Sequence, residues 1–156
     1  MRNDGKAAER LVTDALKDLE SKTKFTWLRL YDSHSAGVGS GGNFIPPQPA
    51  DFLIASPKMV ALLEVKSSNR VASLKDCQLK EVFSEVQILG PFLWNRAGHH
   101  SLCVFYSTRN KTFEVWDMRH VRKAYLSPPR QRKLQEMPLT IGGIDDLYGM
   151  LYSIVC

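Results

Sequence analysis

The chain has 156 residues, 44% hydrophobic and 24% charged, with 21 basic and 16 acidic residues and a net charge of +5. That length favours a single domain, residues 1–156, and that composition favours a globular fold around one sizeable core. No apolar run reaches the ~18 residues of a membrane span, and the opening MRNDGKAAER lacks the apolar stretch of a secretory signal.

The predicted elements, in chain order, begin with an amphipathic helix over 5–21. Asp4 is positioned to cap it, and Ala8, Leu11, Val12, Ala15, Leu16 and Leu19 form one stripe. FTWLRLY (25–31) alternates as a strand does. Residues 32–49, dense in Gly, Ser and Pro, read as a long loop. A β-hairpin follows over 51–56 and 59–66. Helical spacing runs from Leu74 to Leu89, and Gly90-Pro91 is expected to end or kink that helix. HSLCVFYS and TFEVWDM read as two more strands around a TRNK turn. A short basic helix over 119–126 and a last helix from about Asp145 to Val155 complete the chain. The order α-β-β-β-α-β-β, followed by a basic segment and a helix, indicates an α/β sandwich around a mixed central sheet.

The positive charge is unevenly placed. Arg119, Arg122, Lys123, Arg130, Arg132 and Lys133 lie in one stretch without Asp or Glu. Without those six, the chain is close to neutral. Such a stretch suits backbone phosphates, or it is a solvated surface segment. Cys77, Cys103 and Cys156 are odd in number and lack metal-type spacing, so free thiols in a reducing, cytoplasmic setting are expected.

The hairpin PADFLIASPKMVALLEVKSS raises the chemical question. With Pro57 and Lys58 at its tip, paired residues sum to 115 in number, so Asp51 faces Glu64. Opposed Cβ atoms lie roughly 4.5–5.5 Å apart. Lys66, two residues beyond Glu64, shares its face. A slip of one residue would send Asp51 to the other face. Two opposed carboxylates repel. Lys66 alone could offset that as a structural ion triad. A hard divalent cation would do better, because Mg²⁺ takes one or two carboxylates and completes its shell with water and phosphate. Asp51, Glu64 and Lys66 would then suit phosphodiester hydrolysis.

Pro49-Ala50-Asp51, a turn, and Glu64-Val65-Lys66 at the end of an apolar strand resemble the bipartite motif of the PD-(D/E)XK nuclease superfamily. GKAAERLVTDAL, SAGVGSGG, PADFLI and LLEVKSS, with the following helix, occur in the order found in archaeal-type Holliday junction resolvases. The resemblance covers roughly residues 5–117, a nuclease core, and leaves the basic segment and last helix of 118–156 without a counterpart. It implies a restriction-endonuclease-like α/β sandwich, its central mixed sheet flanked by helices. It implies a Mg²⁺-dependent endodeoxyribonuclease, with Mn²⁺ able to substitute, acting as a homodimer on four-way DNA junctions. Glu9, Asp51, Glu64 and the Val65 carbonyl would be metal ligands. Lys66 would be the catalytic lysine, and Ser35 the loop serine, with Ser40 its second counterpart. Gln78 resembles a glutamine that several branches place on the helix after the motif. A bacteriophage member would look the same.

Other features have plainer readings. GVGSGG lacks the Gly-Lys-Ser/Thr ending of a nucleotide-binding loop, and no helix follows it, so no nucleotide cofactor is expected. His99 and His100 point to opposite faces if extended, so surface histidines are expected. His34 has no assigned role. Phe92, Leu93 and Trp94 could stack on bases or form a dimer seam, and core is their ordinary place. If the enzyme reading holds, the basic stretch tracks phosphates, together with Ser35 and Ser40. The alternatives are another nuclease of the superfamily (nicking, repair or restriction type) and a non-catalytic DNA-binding module with a structural charge triad.

Overall fold

The computed structural model describes residues 4–31, 48–129 and 133–156. Among these residues, six strands form one mixed sheet in the order β1-β2-β3-β4-β5-β6. They are β1 (Thr26–Arg29), β2 (Phe52–Ala55), β3 (Val60–Ser68), β4 (His100–Ser107), β5 (Thr112–Asp117) and β6 (Thr140–Gly143). Only β3 and β4 run parallel. A parallel pair needs a crossover, and the segment between them holds two helices, α2 (Leu79–Val82) and α3 (Glu85–Arg96). The observed architecture is the α/β sandwich with a mixed central sheet expected from the sequence.

Helices cover both faces. On one, α1 (Asp4–Lys22) packs Ala8, Val12, Leu16 and Leu19 against Phe52, Leu63, Val65 and Val104. α5 (Leu147–Val155) joins it there with Leu147, Leu151 and Val155. On the other face, α2, α3 and α4 (Met118–Leu126) enclose Cys103, Phe105 and Trp116 with Leu79, Phe83, Ile88 and Val121. The two cores follow from the strand period of two. Odd-numbered Leu63 and Val65 enter the first core, and even-numbered Glu64 and Lys66 face the second. Residues beyond Asp117 complete both cores, and β6 pairs with β5.

Three differences from the sequence reading have local causes. The helix expected over 74–89 is broken into a 3₁₀ turn at Leu74–Asp76, α2, and α3. Phe83 is extended, and Ser84 starts a new helix through a capping box: its hydroxyl accepts from the Gln87 N–H while Gln87 Oε1 accepts from the Ser84 N–H. α3 then continues through Gly90-Pro91 to Arg96 rather than ending there. Pro91 removes one N–H from the ladder, but its ring is buried. Gly90 gives α3 a close approach to the loop before β2, since a Cβ there would stand 2.2 Å from that of Pro49. Finally, β6 (TIGG) carries no alternating apolar signal. Gly142 lies so close to Met150 and Asp146 that a Cβ would collide with both.

Candidate active site

The β2–β3 ladder pairs Phe52 with Leu63, Leu53 with Leu62, Ile54 with Ala61 and Ala55 with Val60. Every pair sums to 115. The turn is closed by Ser56 N–H donating to the Met59 carbonyl at 2.8 Å, with Pro57 and Lys58 at the tip. The Ser56 hydroxyl also accepts from the Lys58 and Met59 amides and bonds the Val155 carbonyl at the end of α5.

The ladder stops one pair short of Asp51 and Glu64, and Asp51 takes over its role with a side chain. Asp51 Oδ2 accepts from the Val65 N–H at 2.7 Å. Its own N–H donates to the Leu63 carbonyl at 3.2 Å, and its carbonyl accepts from Leu30 at 2.8 Å. The Asp51 backbone is thus fixed between the end of β1 and β3, and its carboxylate is held against β3. In a strand, a residue's N–H and C=O point to the same neighbour. The Val65 carbonyl therefore faces the Asp51 side, past the last ladder pair.

Glu64 and Lys66 lie on the central strand. Their neighbours on β4 are Cys103 and Phe105. Lys66 Nζ stands 2.9 Å from Glu64 Oε1 and 5.5 Å from the centre of the Phe83 ring. α3 adds a residue that the sequence reading missed. Gln87 Nε2 donates to Glu64 Oε1 at 2.9 Å, and Gln87 Oε1 accepts from Lys66 Nζ at 3.1 Å. The signal was in the chain: Ser84-x-x-Gln87 is a capping box, which begins a helix at Glu85 and aims Gln87 at the sheet.

Burial sets the electrostatics. The Glu64 side chain is 4% exposed and that of Lys66 20%. Desolvation, reinforced by the Asp51 charge and opposed by Lys66, pushes the Glu64 carboxyl up to about 8. Asp51 is raised by burial too, against the Val65 N–H that lowers it, and the Glu9 charge adds to the rise. Burial also raises the Cys103 thiol, with the Glu64 charge second. Among the described residues, Glu64 Oε2 is buried without a partner. Such an orphaned acceptor costs roughly 1–3 kcal/mol.

That orphan oxygen makes the site fit a hard cation. Asp51 and Glu64 supply the one or two carboxylates that Mg²⁺ ordinarily takes from a protein, and the raised carboxyls are those a divalent charge would lower. Among the described residues, no three His, Cys, Asp or Glu side chains gather as a ready metal-binding group. Glu9 instead bonds Arg29, whose guanidinium lies 5.6 Å from the Phe52 ring centre.

The remaining candidates are dispersed. Ser35, Ser40 and His34, and likewise Arg130 and Arg132, lie outside the described residues. Gln78 precedes α2 and lines a cleft with Lys75, Lys80, Pro129 and Lys133; the glutamine at the Glu64–Lys66 pair is Gln87. The basic stretch is partly neutralised. Arg119 grips Asp117 through Nη2 at 2.6 Å and Nε at 3.0 Å, and Lys123 pairs with Glu136 at 3.5 Å. The Arg122 guanidinium lies 3.8 Å over Phe92. His99 and His100 are exposed, as expected, with His99 against Trp94. Leu93 is exposed.

No protein-family model matches this sequence, and no curated protein does. Among solved structures, the chain is similar to Hjc of Archaeoglobus fulgidus, a Holliday junction resolvase from an archaeal hyperthermophile. The two share 14% identity and a TM-score of 0.47, over 91% of this chain and 92% of that one.

Proposed function

We propose that the chain is a divalent-metal-dependent endodeoxyribonuclease that cuts branched DNA, its substrate being the four-way junction. One observation carries this reading. Asp51, just before β2, accepts from the Val65 N–H between Glu64 and Lys66, and Glu64 contacts Lys66 while its Oε2 is buried and, among the described residues, unpartnered. The PADFLI and LLEVKSS motifs support it as a likeness in sequence.

Asp51 and Glu64 would hold Mg²⁺, the Val65 carbonyl adding a ligand and Glu9 joining when it leaves Arg29. The ion supplies a polarised phosphate and a more acidic water. Lys66 would donate to the attacking oxygen, or to the phosphoryl oxygens on which negative charge develops. Gln87 holds the ammonium in place for that work. Ser35 would bind the phosphate. Paired cuts in a junction need two sites about a two-fold axis, so the working form is a homodimer, whose mass in solution is read directly by light scattering.

The test compares a synthetic four-way junction with a linear duplex of the same sequence, in Mg²⁺ or Mn²⁺. Symmetric paired nicks in the junction, lost in Asp51→Ala, Glu64→Ala and Lys66→Ala while binding persists, support the reading. Equal cutting of both substrates assigns another nuclease of the superfamily. The second reading is a DNA-binding module in which Glu64, Lys66 and Gln87 are structural, and the near-complete burial of Glu64 favours it. Absence of any cutting by the unaltered protein establishes that one.

A further inference from the structure

We propose that Arg70, Arg109 and Lys111 form a binding track for the nucleic-acid backbone, continuous with the Asp51–Glu64–Lys66 site. The link to a cut phosphate rests on the nuclease reading above; the track itself rests on where the sheet ends.

After Lys66, β3 runs out through Ser67 and Ser68 into Asn69 and Arg70. A cleft of about 570 Å³ follows this stretch, bordered by Lys66, Ser67, Ser68 and Arg70 and by Gly5 at the start of α1. β4 runs parallel to β3 with Ser107 beside Ser68. The turn that joins β4 to β5 therefore lies just past the end of β3. The two segments are tied together. The Thr108 N–H donates to the Ser68 carbonyl at 3.0 Å, Arg109 Nη1 to the Arg70 carbonyl at 3.4 Å, and the Ser107 hydroxyl to the Val71 carbonyl at 2.8 Å.

These ties bring together cations that the sequence separates by about forty residues. Arg70, Arg109 and Lys111 are all exposed. Among the described residues, none of the three pairs with a carboxylate. Arg119 and Lys123, in the stretch that dominates the charge of the sequence, each hold one. A cation without a carboxylate partner offers its whole charge to a phosphate and releases a counterion when it binds. An ion-paired one must first give up its partner. The strand leading into the cut would lie along the cleft from Lys66 to Arg70 and leave across the 108–111 turn. Contacts of this kind position the backbone and read no sequence.

The test is equilibrium binding of the full chain to a labelled four-way junction in EDTA, where nothing is cut, over a salt series. Arg70→Ala/Arg109→Ala/Lys111→Ala should lower the log–log salt slope by about three units and weaken binding at 0.1 M salt by about 10²–10³-fold. Arg70→Lys/Arg109→Lys, which keeps the charge, should retain the slope. Arg119→Ala/Arg122→Ala/Lys123→Ala should change it by less than about one unit. A wild-type slope in the alanine triple variant overturns the track, as does a loss that the lysine variant shares, since that loss would be structural. Cutting by the unaltered chain in Mg²⁺ is scored separately. If cutting occurs and the slope is unchanged, the track fails alone. If cutting is absent and the slope falls, the nuclease reading fails and the track stands.

Discussion

Gln87 donates to Glu64 at 2.9 Å through the same amide whose oxygen accepts from Lys66 and from the Ser84 N–H. One side chain thereby couples the start of α3 to the two charged residues of the central strand. The donors also determine the orientation of the amide. Two N–H donors face its oxygen, so its nitrogen must face the carboxyl.

Gln87→Leu should therefore act on chemistry more than on binding. With Lys66 and Glu64 both deprived of a partner, cleavage under saturating junction is expected to fall about 10- to 100-fold, as when supporting bonds around a metal site are lost. KM should stay close to its original value. Ser84→Ala removes the cap and leaves Gln87 in place, and should cost about 1 kcal/mol of stability with a smaller loss of rate. Equal effects of the two variants on rate would show that α3 acts only as a folded support. Junction cleavage kinetics and chemical denaturation read both.

Glu64 makes stability depend on pH. Its carboxyl holds a proton up to about 8 in the folded chain, against 4.5 ordinarily. The folded state thus binds more protons than the unfolded one between those values. Its contribution to stability is full below pH 4.5 and is lost as pH rises through about 8. The loss is on the order of a few kcal/mol. Glu64→Gln imitates the protonated form, so in EDTA it should match the unaltered protein at low pH and melt at a higher temperature above pH 8. A constant gap between their melting curves across that range would contradict the raised carboxyl.

On the proposed function, a cation bound at Glu64 would displace the same proton. Cleavage should rise with pH toward the value at which Glu64 ionises, and added Mg²⁺ should shift that rise to lower pH, since the metal favours the carboxylate. A profile that stays put over a Mg²⁺ titration would place the metal away from Glu64.

Glu9 is held by Arg29 and yet its charge acts on both Asp51 and Glu64. If it moves to the metal, Glu9→Gln should raise the Mg²⁺ needed for half-maximal cleavage by about 10-fold, with little effect on cleavage at saturating Mg²⁺. Arg29→Ala should do the reverse and lower the requirement. Unchanged Mg²⁺ curves in both variants would confine Glu9 to its ion pair.

Gly90→Ala places a methyl group where 2.2 Å separates the new Cβ from Pro49. Neither the proline ring nor the helix backbone can yield cheaply. A loss of about 1–3 kcal/mol is expected from such overpacking. Pro49 lies two residues before Asp51, so cleavage should fall as well. Wild-type melting in this variant would mean that α3 and the loop separate without cost.

By itself the sequence determined what period and composition encode. The 3.6-residue stripe Ala8, Val12, Leu16, Leu19 became one face of α1, and the hairpin has the register that a Pro57-Lys58 tip implies. That register carries the ladder to Phe52 and Leu63, one pair short of Asp51 and Glu64. Helix breaks inside 74–96 were less legible, because Leu79, Phe83 and Ile88 keep helical spacing across the break and only the Ser84–Gln87 cap reveals it. Tertiary structure decided the rest. It put Gln87 beside Glu64 and Lys66, gave Lys123 its carboxylate partner, and formed β6 against β5 from a stretch with two glycines. It also brought Arg109 and Lys111 to the end of β3. Periodicity acts between near neighbours along the chain. Partners forty residues apart meet only through the packing of a sheet, which no local pattern records.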